Sequence, residues 1–329
     1  MTMRLLITGG AGCLGSNLVE HWLPMGHEIF VIDNFATGKR EVVPPQKGLT
    51  VVEGSIADAE LVKKTFNDFK PTHVIHCAAS YKNPDDWEED VDTNVSGSIN
   101  VARGALASGA KRLVNFQTSL CYGVPMQIPI PIDHPLNPIT SYSISKTAGE
   151  QYLLMSDLNV ISFRLATVLA PRFGIGPIPT FYQRLKAEKE CFCSATVRDF
   201  MDLSDFLNLL DKALTHDAPS GIFNASPGVG VSIRQIFDAV ADYLQITPKK
   251  EPPIVPPGAD DVPEVVLDSS KTEKAFRWRV ETSFDETIRK MLAWYDENGV
   301  PPTYSHVRKP VMDNGHNAAK QSKGIRNEA

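Results

Sequence analysis

Along the first half of the chain, short apolar and β-branched runs alternate with longer stretches whose apolar positions recur every three or four residues. RLLIT (4–8), HEIFVID (27–33), LTVVEG (49–54), THVIHCA (72–78), KRLVNFQ (111–117) and NVISFRL (159–165) read as strands. LGSNLVEHWLPMG (14–26), ADAELVKKTFNDF (57–69), the stretch 87–108 and SYSISKTAGEQYLLM (141–155) read as helices. This order predicts an α/β fold, a doubly wound parallel sheet with helices on both faces. After Pro171, Gly174, Gly176, Pro177 and Pro179 mark a loop, and shorter mixed elements follow. Residues 1–170 are therefore expected to form the sheet domain, with segments near 195–225 returning to it, and 171–299 mainly a smaller, discontinuous α/β lobe. PKKEPPIVPPGADDVP (248–263) reads as an ordered loop over the sheet edge. Residues 300–329, poor in apolar side chains, read as a mobile, solvated tail.

Composition narrows the partners. A chain of 329 residues, 42% hydrophobic and 22% charged, has ample material for a core without staples. Its formal charge of −6 argues against nucleic acid, which asks for a basic face, and favours small-molecule ligands. The five cysteines match no disulfide or zinc framework, so no metal is expected and a reducing cytoplasm fits. Cys191 and Cys193, and likewise His73, His76 and Cys77, read as structural residues. The first residues form neither a signal peptide nor an anchor, and no run reaches the length of a membrane span.

The candidate chemistry begins at ITGGAGCLGS (7–16), where Gly9, Gly10, Gly12 and Gly15 follow a strand and open a helix. Backbone N–H groups at such a helix N-terminus suit a pyrophosphate. The next strand ends in Asp33, twenty-four residues past Gly9, near the offset at which a carboxylate takes the adenosine ribose hydroxyls. An acid there repels a 2′-phosphate, which favours NAD over NADP. Tyr142 and Lys146 lie four residues apart, on one face of a helix, where a cation is expected to lower the tyrosine pKa. The strand ending in Phe116-Gln117-Thr118-Ser119 supplies a hydroxyl at the same sheet edge. Lys82 reads either as a pyrophosphate contact or as a solvated loop lysine.

Taken together, TGGAGCLGS, VIDNFATG (31–38), HCAA (76–79), NVSGSIN (94–100), QTSLCYG (117–123), YSISK (142–146), RDFMDLSD (198–205) and FNASPG (223–228) resemble the extended short-chain dehydrogenase/reductase family, in its nucleotide-sugar epimerase and dehydratase branch. The likeness runs from residue 3 to about 299. It implies a Rossmann domain with Thr118, Tyr142 and Lys146 as catalytic residues. It also implies a cofactor site that includes Gly9, Gly12, Cys13, Leu14, Asp33, Asn34, Gly38, Ser55, Ile56, Ala78 and Ala79. Asn94 and Asn100 become structural or relay positions, and either Asp58 or the Ser55-Ile56 pair lies near adenine. Ser119, Thr167, Arg172 and Arg198 are the substrate-side candidates. Arg198 either reaches the diphosphate or forms an ion pair with Asp199 or Asp202.

Family dehydratases carry Asp-Glu after the catalytic threonine, and decarboxylases keep an acid close by; here Ser119 and Leu120 stand in those places and Cys121 falls one position late. The resemblance therefore implies an NAD-dependent C4 epimerase of a UDP-hexose, working through a 4-keto sugar, as a cytoplasmic homodimer associated through a four-helix bundle. A nucleotide-sugar reductase or dehydrogenase, or a non-catalytic cofactor-binding protein, is the alternative. Two departures stand out: Thr167-Val-Leu-Ala-Pro-Arg172 replaces the family's N-V-Y-G-P-R, and the late R-x-G-D arginine is missing from PPGADDVP (256–263), a gap that Arg172 is a candidate to fill.

Overall fold

A computed structural model describes residues 2–81 and 83–302; Lys82 and the segment read as a tail from 303 onward lie outside the described residues. Strands β1 (Arg4–Thr8), β2 (Glu28–Asp33), β3 (Leu49–Glu53), β4 (His73–His76), β5 (Arg112–Thr118) and β6 (Val160–Leu165) alternate with α1 (Cys13–Trp22), α2 (Ala59–Phe69), α3 (Trp87–Asp90), α4 (Gly97–Ser108) and α5 (Ser141–Met155). The chain continues through β7 (Thr167–Leu169), α6 (Pro177–Lys186), β8 (Cys193–Ser194), β9 (Val197–Arg198), β10 (Phe200–Asp202), α7 (Leu203–Ala213) and β11 (Gly221–Ala225). It closes with β12 (Val231–Ser232), α8 (Ile233–Leu244), β13 (Ile254–Val255), β14 (Glu264–Val265), α9 (Ser270–Phe276) and α10 (Phe284–Asn298).

Seven strands form one parallel sheet in the order β11-β6-β5-β4-β1-β2-β3. Because helices cover both faces, Leu5, Leu6 and Ile7 are all fully buried, which explains their unbroken apolar run. Strand order reverses between β1 and β4, and ligands of such sheets bind in the crevice beyond the strand ends at that point.

The expected helix over 87–108 is not continuous. A π-helical turn at Val91–Ser96 interrupts it and turns the Asn94 amide toward Ser80 and Ser145, which it bonds at 2.9–3.1 Å. This polar gain offsets the irregular backbone.

One apolar core packs α2 and α4 against one face of the sheet and a small one surrounds Tyr122, while two larger ones mark the lobes. Of the larger two, one joins the sheet to α1, α7, β11 and α9. The other gathers Ile178, Phe181, Phe237, Leu292 and Tyr295 from α6, α8 and α10. The lobes meet where Asn17 Nδ2 donates to the Pro171 carbonyl at 3.1 Å and the Arg172 guanidinium forks Glu20 at 2.9 and 2.8 Å.

The proline-rich stretch does not run over the edge of the main sheet. Prolines donate no N–H, but their carbonyls still accept: Cys193 N–H bonds Pro253 O at 2.9 Å and Val197 N–H bonds Pro263 O at 2.8 Å. The stretch thus adds β13 beside β8 and β14 beside β9 in the second lobe.

Candidate active site

One cleft of about 1420 Å³ runs between the lobes over the carboxyl ends of β1, β2, β4 and β5. Gly9, Gly12, Cys13, Leu14, Asp33, Asn34, Ser55, Ile56, Ala78, Ala79, Thr118, Ser119, Tyr142, Lys146, Thr167 and Arg198 all face it. Gly38 stands behind this wall, close against Ala11. Arg172 is not on it either: its fork is engaged by Glu20, away from the cleft. Asp58 caps α2 by accepting from Glu60 and Leu61 at 3.0 Å, which leaves Ser55 and Ile56 as the wall residues of the two alternatives. Asn100 holds their loop by donating to Ile56 O and Ala57 O.

The glycine loop is as tight as backbone permits. A Cβ on Gly9, whose φ is 69°, would lie 2.8 Å from the Ala78 backbone, and one on Gly15 would lie 2.2 Å from Gly9 O. No side chain caps α1 and no acid occupies its first turn, so its N-terminal N–H groups are open to an anion in the cleft. Asp33 braces the loop, accepting from Ala11 N–H and Phe35 N–H at 2.8 Å each. Burial pushes its carboxyl pKa up, and these bonds pull it back. A pyrophosphate between loop and helix, with a diol at Asp33, fits these groups.

At the cleft's reactive end, Thr118 shares a hydrogen bond with Tyr142, and the Tyr81 ring stands edge-on to Tyr142 at 6.4 Å. Gln117 fixes this pairing, since its amide donates to Lys146 O at 2.9 Å while its oxygen accepts Thr118 N–H at 2.7 Å. Asn94 reaches the same helix through Ser145, whose hydroxyl bonds Tyr142 O at 3.0 Å. One turn beyond Lys146, Glu150 forms a fully buried pair with Arg164 at 2.8 Å.

Burial is the dominant influence on both site groups. It lowers the Lys146 pKa to about 8 against the opposing pull of Cys77 and Glu150. It raises that of Tyr142 above the ordinary value, and the nearby Tyr81 and Asp90 push in the same direction. The expected lowering of Tyr142 by Lys146 is therefore not found. Desolvation dominates, and the counteracting pull comes from the Thr118 hydrogen bond.

Cys121 is fully buried in a small core with Tyr122 and Ile130, and its thiol is pushed up to about 12, so it presents no acid to the cleft. Two carboxyls on the facing wall are already engaged. Asp86 caps α3 through Glu89 N–H, and Glu89 accepts from Thr93 at 3.0 Å. His76 lies fully buried between Thr8 and Ser98 at 2.8 and 3.0 Å.

Arg198 is ion-paired, but with neither Asp199 nor Asp202. Asp199 turns inward to accept from Ser226 and Leu267, and Asp202 caps α7. The partner is Asp261, at 2.5 Å. Sequence reasoning missed Asp261, Tyr81 and Gln117. Only Gln117, inside the motif 117–123, carried a signal that pointed to it.

The model of the NAD dependent epimerase/dehydratase family matches residues 5–226. The chain belongs to that family. Among curated proteins, the UDP-glucose 4-epimerase of Mycolicibacterium smegmatis is 28% identical over 311 residues, 89% of this chain and 98% of the relative. Among solved structures, the Bordetella bronchiseptica enzyme WbmG in complex with NAD and UDP is 62% identical, covers 94% of this chain and 100% of that one, and superposes with a TM-score of 0.90. WbmH of the same organism, in complex with NAD+, is 42% identical with a TM-score of 0.86 and covers 91% of this chain and 100% of that one. The matched segment takes in the glycine loop near its start and the helix that carries Tyr142 and Lys146.

Proposed function

We propose that this chain is an NAD-dependent epimerase that inverts C4 of a UDP-hexose through a 4-keto sugar. The observation that carries the reading is the Thr118–Tyr142 hydroxyl pair beside a buried Lys146, with Ser119 and Leu120 where an acid would be needed to expel a hydroxyl. WbmG bound to NAD and UDP supports the two ligands, and curated relatives named UDP-glucose 4-epimerase support the position.

When bound, NAD supplies reversible hydride exchange at the sugar carbon. Tyr142 takes the proton from the 4-hydroxyl and later returns it to the same oxygen. Thr118 holds that oxygen in line with Tyr142, so both transfers use one geometry. Lys146 anchors the nicotinamide ribose and offsets charge on the phenolate, while Asp33 holds the adenosine diol. Ser119 and Thr167 flank the sugar, and Arg198 receives the diphosphate. With no group to remove a substituent, the sugar is oxidised and reduced but otherwise keeps its atoms.

The test is interconversion of 4-epimers across a panel of UDP-hexoses with no added nicotinamide, followed by chromatography. Stoichiometric consumption of added NADH with each sugar converted would instead establish a reductase.

The reading includes a homodimer. Val91, Leu106, Ile144, Tyr152 and Met155 expose apolar side chains on or beside α4 and α5, the helices of the expected four-helix bundle. Light scattering at micromolar concentration should give about twice 36.2 kDa. Free thiols at all five cysteines fit a reducing compartment such as the cytoplasm, and no helix among the described residues is long and apolar enough to cross a membrane.

A further inference from the structure

Asp90 closes α3 and is 1% exposed, so a carboxyl is held out of water within electrostatic reach of Tyr142. Neither of the caps around it uses this side chain. Asp86 caps α3 through Glu89 N–H at 3.1 Å, and Asp90 makes no cap bond to the π-turn that follows it. It bonds instead to the Ser141 and Ser80 hydroxyls, and its Oδ1 meets no donor among the described residues. Each of these serines precedes one of the two tyrosines, Tyr81 and Tyr142, whose rings meet edge-on at 6.4 Å. Both segments are anchored without the carboxyl. Asn94 binds the Ser80 N–H and carbonyl at 2.9 and 3.1 Å, and Thr140 and Ser143 form a capping box at the head of α5.

A buried acid with an incomplete set of bonds costs stability, and a fold that keeps one without structural gain places it where it alters a neighbour's chemistry. Resting on the reading that Tyr142 moves the sugar proton, we propose that Asp90 is a positioning residue for that step. Through Ser80 and Ser141 it holds the two tyrosines together, and its negative charge favours the protonated Tyr142 hydroxyl. The other groups around the pair are accounted for. Tyr81 faces Tyr142 from the loop after β4, and Asp86 faces Asp90 from the start of α3. Glu89 is turned to Thr93, and Asp92 on the π-turn is exposed. Lys146 lies one turn along α5, and Glu150, a turn further, is paired with Arg164. An epimerase must give back the proton that its base has taken. A phenol biased toward its anion would take the proton from the 4-hydroxyl and return it slowly; a buried anion beside it restores the balance. The proton passes from the sugar oxygen to the Tyr142 oxygen and back, and Asp90 neither gains nor loses one.

The experiment is a tyrosinate titration of the NAD-loaded protein by ultraviolet difference absorbance, comparing the parent with Asp90→Asn and Asp90→Ala. Each is read against the same protein carrying Tyr142→Phe, which isolates the Tyr142 component from the other tyrosines. In both Asp90 variants that component should appear roughly one pH unit lower than in the parent, as expected when a nearby like charge is removed. Asp90→Asn keeps the side chain's volume, so it reports even if the alanine variant is poorly folded. A carboxyl with a purely structural role would change the melting temperature and leave this onset in place. An onset that coincides in the parent and both variants, or a Tyr142 component absent from all three below about pH 11, would overturn the proposal. A shifted onset in a protein that interconverts no 4-epimers across the UDP-hexose panel would sink the epimerase reading and leave the influence of Asp90 on Tyr142 standing, a different failure.

Discussion

On the sheet side of the cleft, Thr118 and Asp33 stand at the ends of strands of seven and six residues, and Tyr142 and Lys146 on a helix of fifteen. On the lobe side, Arg198 and its neighbours ride on strands of two residues, positioned by the proline-rich connection opposite. The first wall is fixed by continuous parallel pairing, with Asp33 and Lys146 buried and Thr118 and Tyr142 half-buried; the second depends on a few long-range bonds. Under the proposed assignment, reactive groups that must hold one geometry lie on the rigid wall, and groups that must admit and release a substrate lie on the yielding one.

The largest test of the rigid wall removes one oxygen. Tyr142→Phe keeps the ring that packs beside Tyr81 and should leave melting temperature and NAD binding unchanged while turnover falls roughly 10²–10⁴-fold, the usual contribution of a positioned acid/base. Near-normal activity in that variant would break the comparison at its strongest point.

Next in size is cofactor choice. Asp33 is held rigidly by two backbone bonds and cannot turn away from a 2′-phosphate. Calorimetry should show NAD binding at least about 100-fold more tightly than NADP, since like-charge juxtaposition costs several kcal/mol. Equal affinities would mean that Asp33 only braces the glycine loop.

Thr118→Ala should cost less, on the order of 10–100-fold in kcat/KM, because an orienting hydrogen bond is lost while the base remains. Thr118 also caps the turn that follows it, accepting Leu120 N–H at 3.2 Å, so Thr118→Ser should restore most of the activity. If serine failed to do so, the methyl packing rather than the hydroxyl would be the important feature.

The rigid wall was the legible one. The glycine loop, Asp33, Thr118 and the Tyr-Lys pair sit within ten residues of strands or helices that announce themselves by apolar period, so their meeting at one sheet edge follows from topology. The π-turn at Asn94 was hidden because a single extra residue leaves the apolar spacing of 87–108 nearly helical. Asp261 was hidden for a stronger reason. Its partner is 63 residues away, and the strands that bring them together are too short to leave a pattern. The pKa of Tyr142 was misjudged because sequence shows a neighbouring lysine but not the depth at which both are buried.

The smallest effect tests that burial directly. Lys146 has its pKa lowered by burial from 10.5 to about 8. Between those values the unfolded chain holds a proton that the folded chain has lost, so unfolding takes protons up and this group's contribution to stability rises with pH across the window. Below about 8 the buried ammonium is a standing cost. Lys146→Met, similar in length and uncharged, should therefore raise the melting temperature of the cofactor-free protein at pH 7, by about 2–4 °C for each kcal/mol of burial relieved. The gain should fade as pH approaches 10. Cofactor binding should move the opposite way. If the ammonium holds the nicotinamide ribose, NAD affinity of the parent falls a few-fold between pH 7 and 9 as the proton leaves, whereas Lys146→Met binds weakly and without that slope. Thr167→Val, on the yielding wall, should leave both profiles unchanged. A parent protein whose NAD affinity stays flat from pH 7 to 9 would show that cofactor binding moves no proton on or off Lys146, so that the ammonium charge does not hold the nicotinamide ribose.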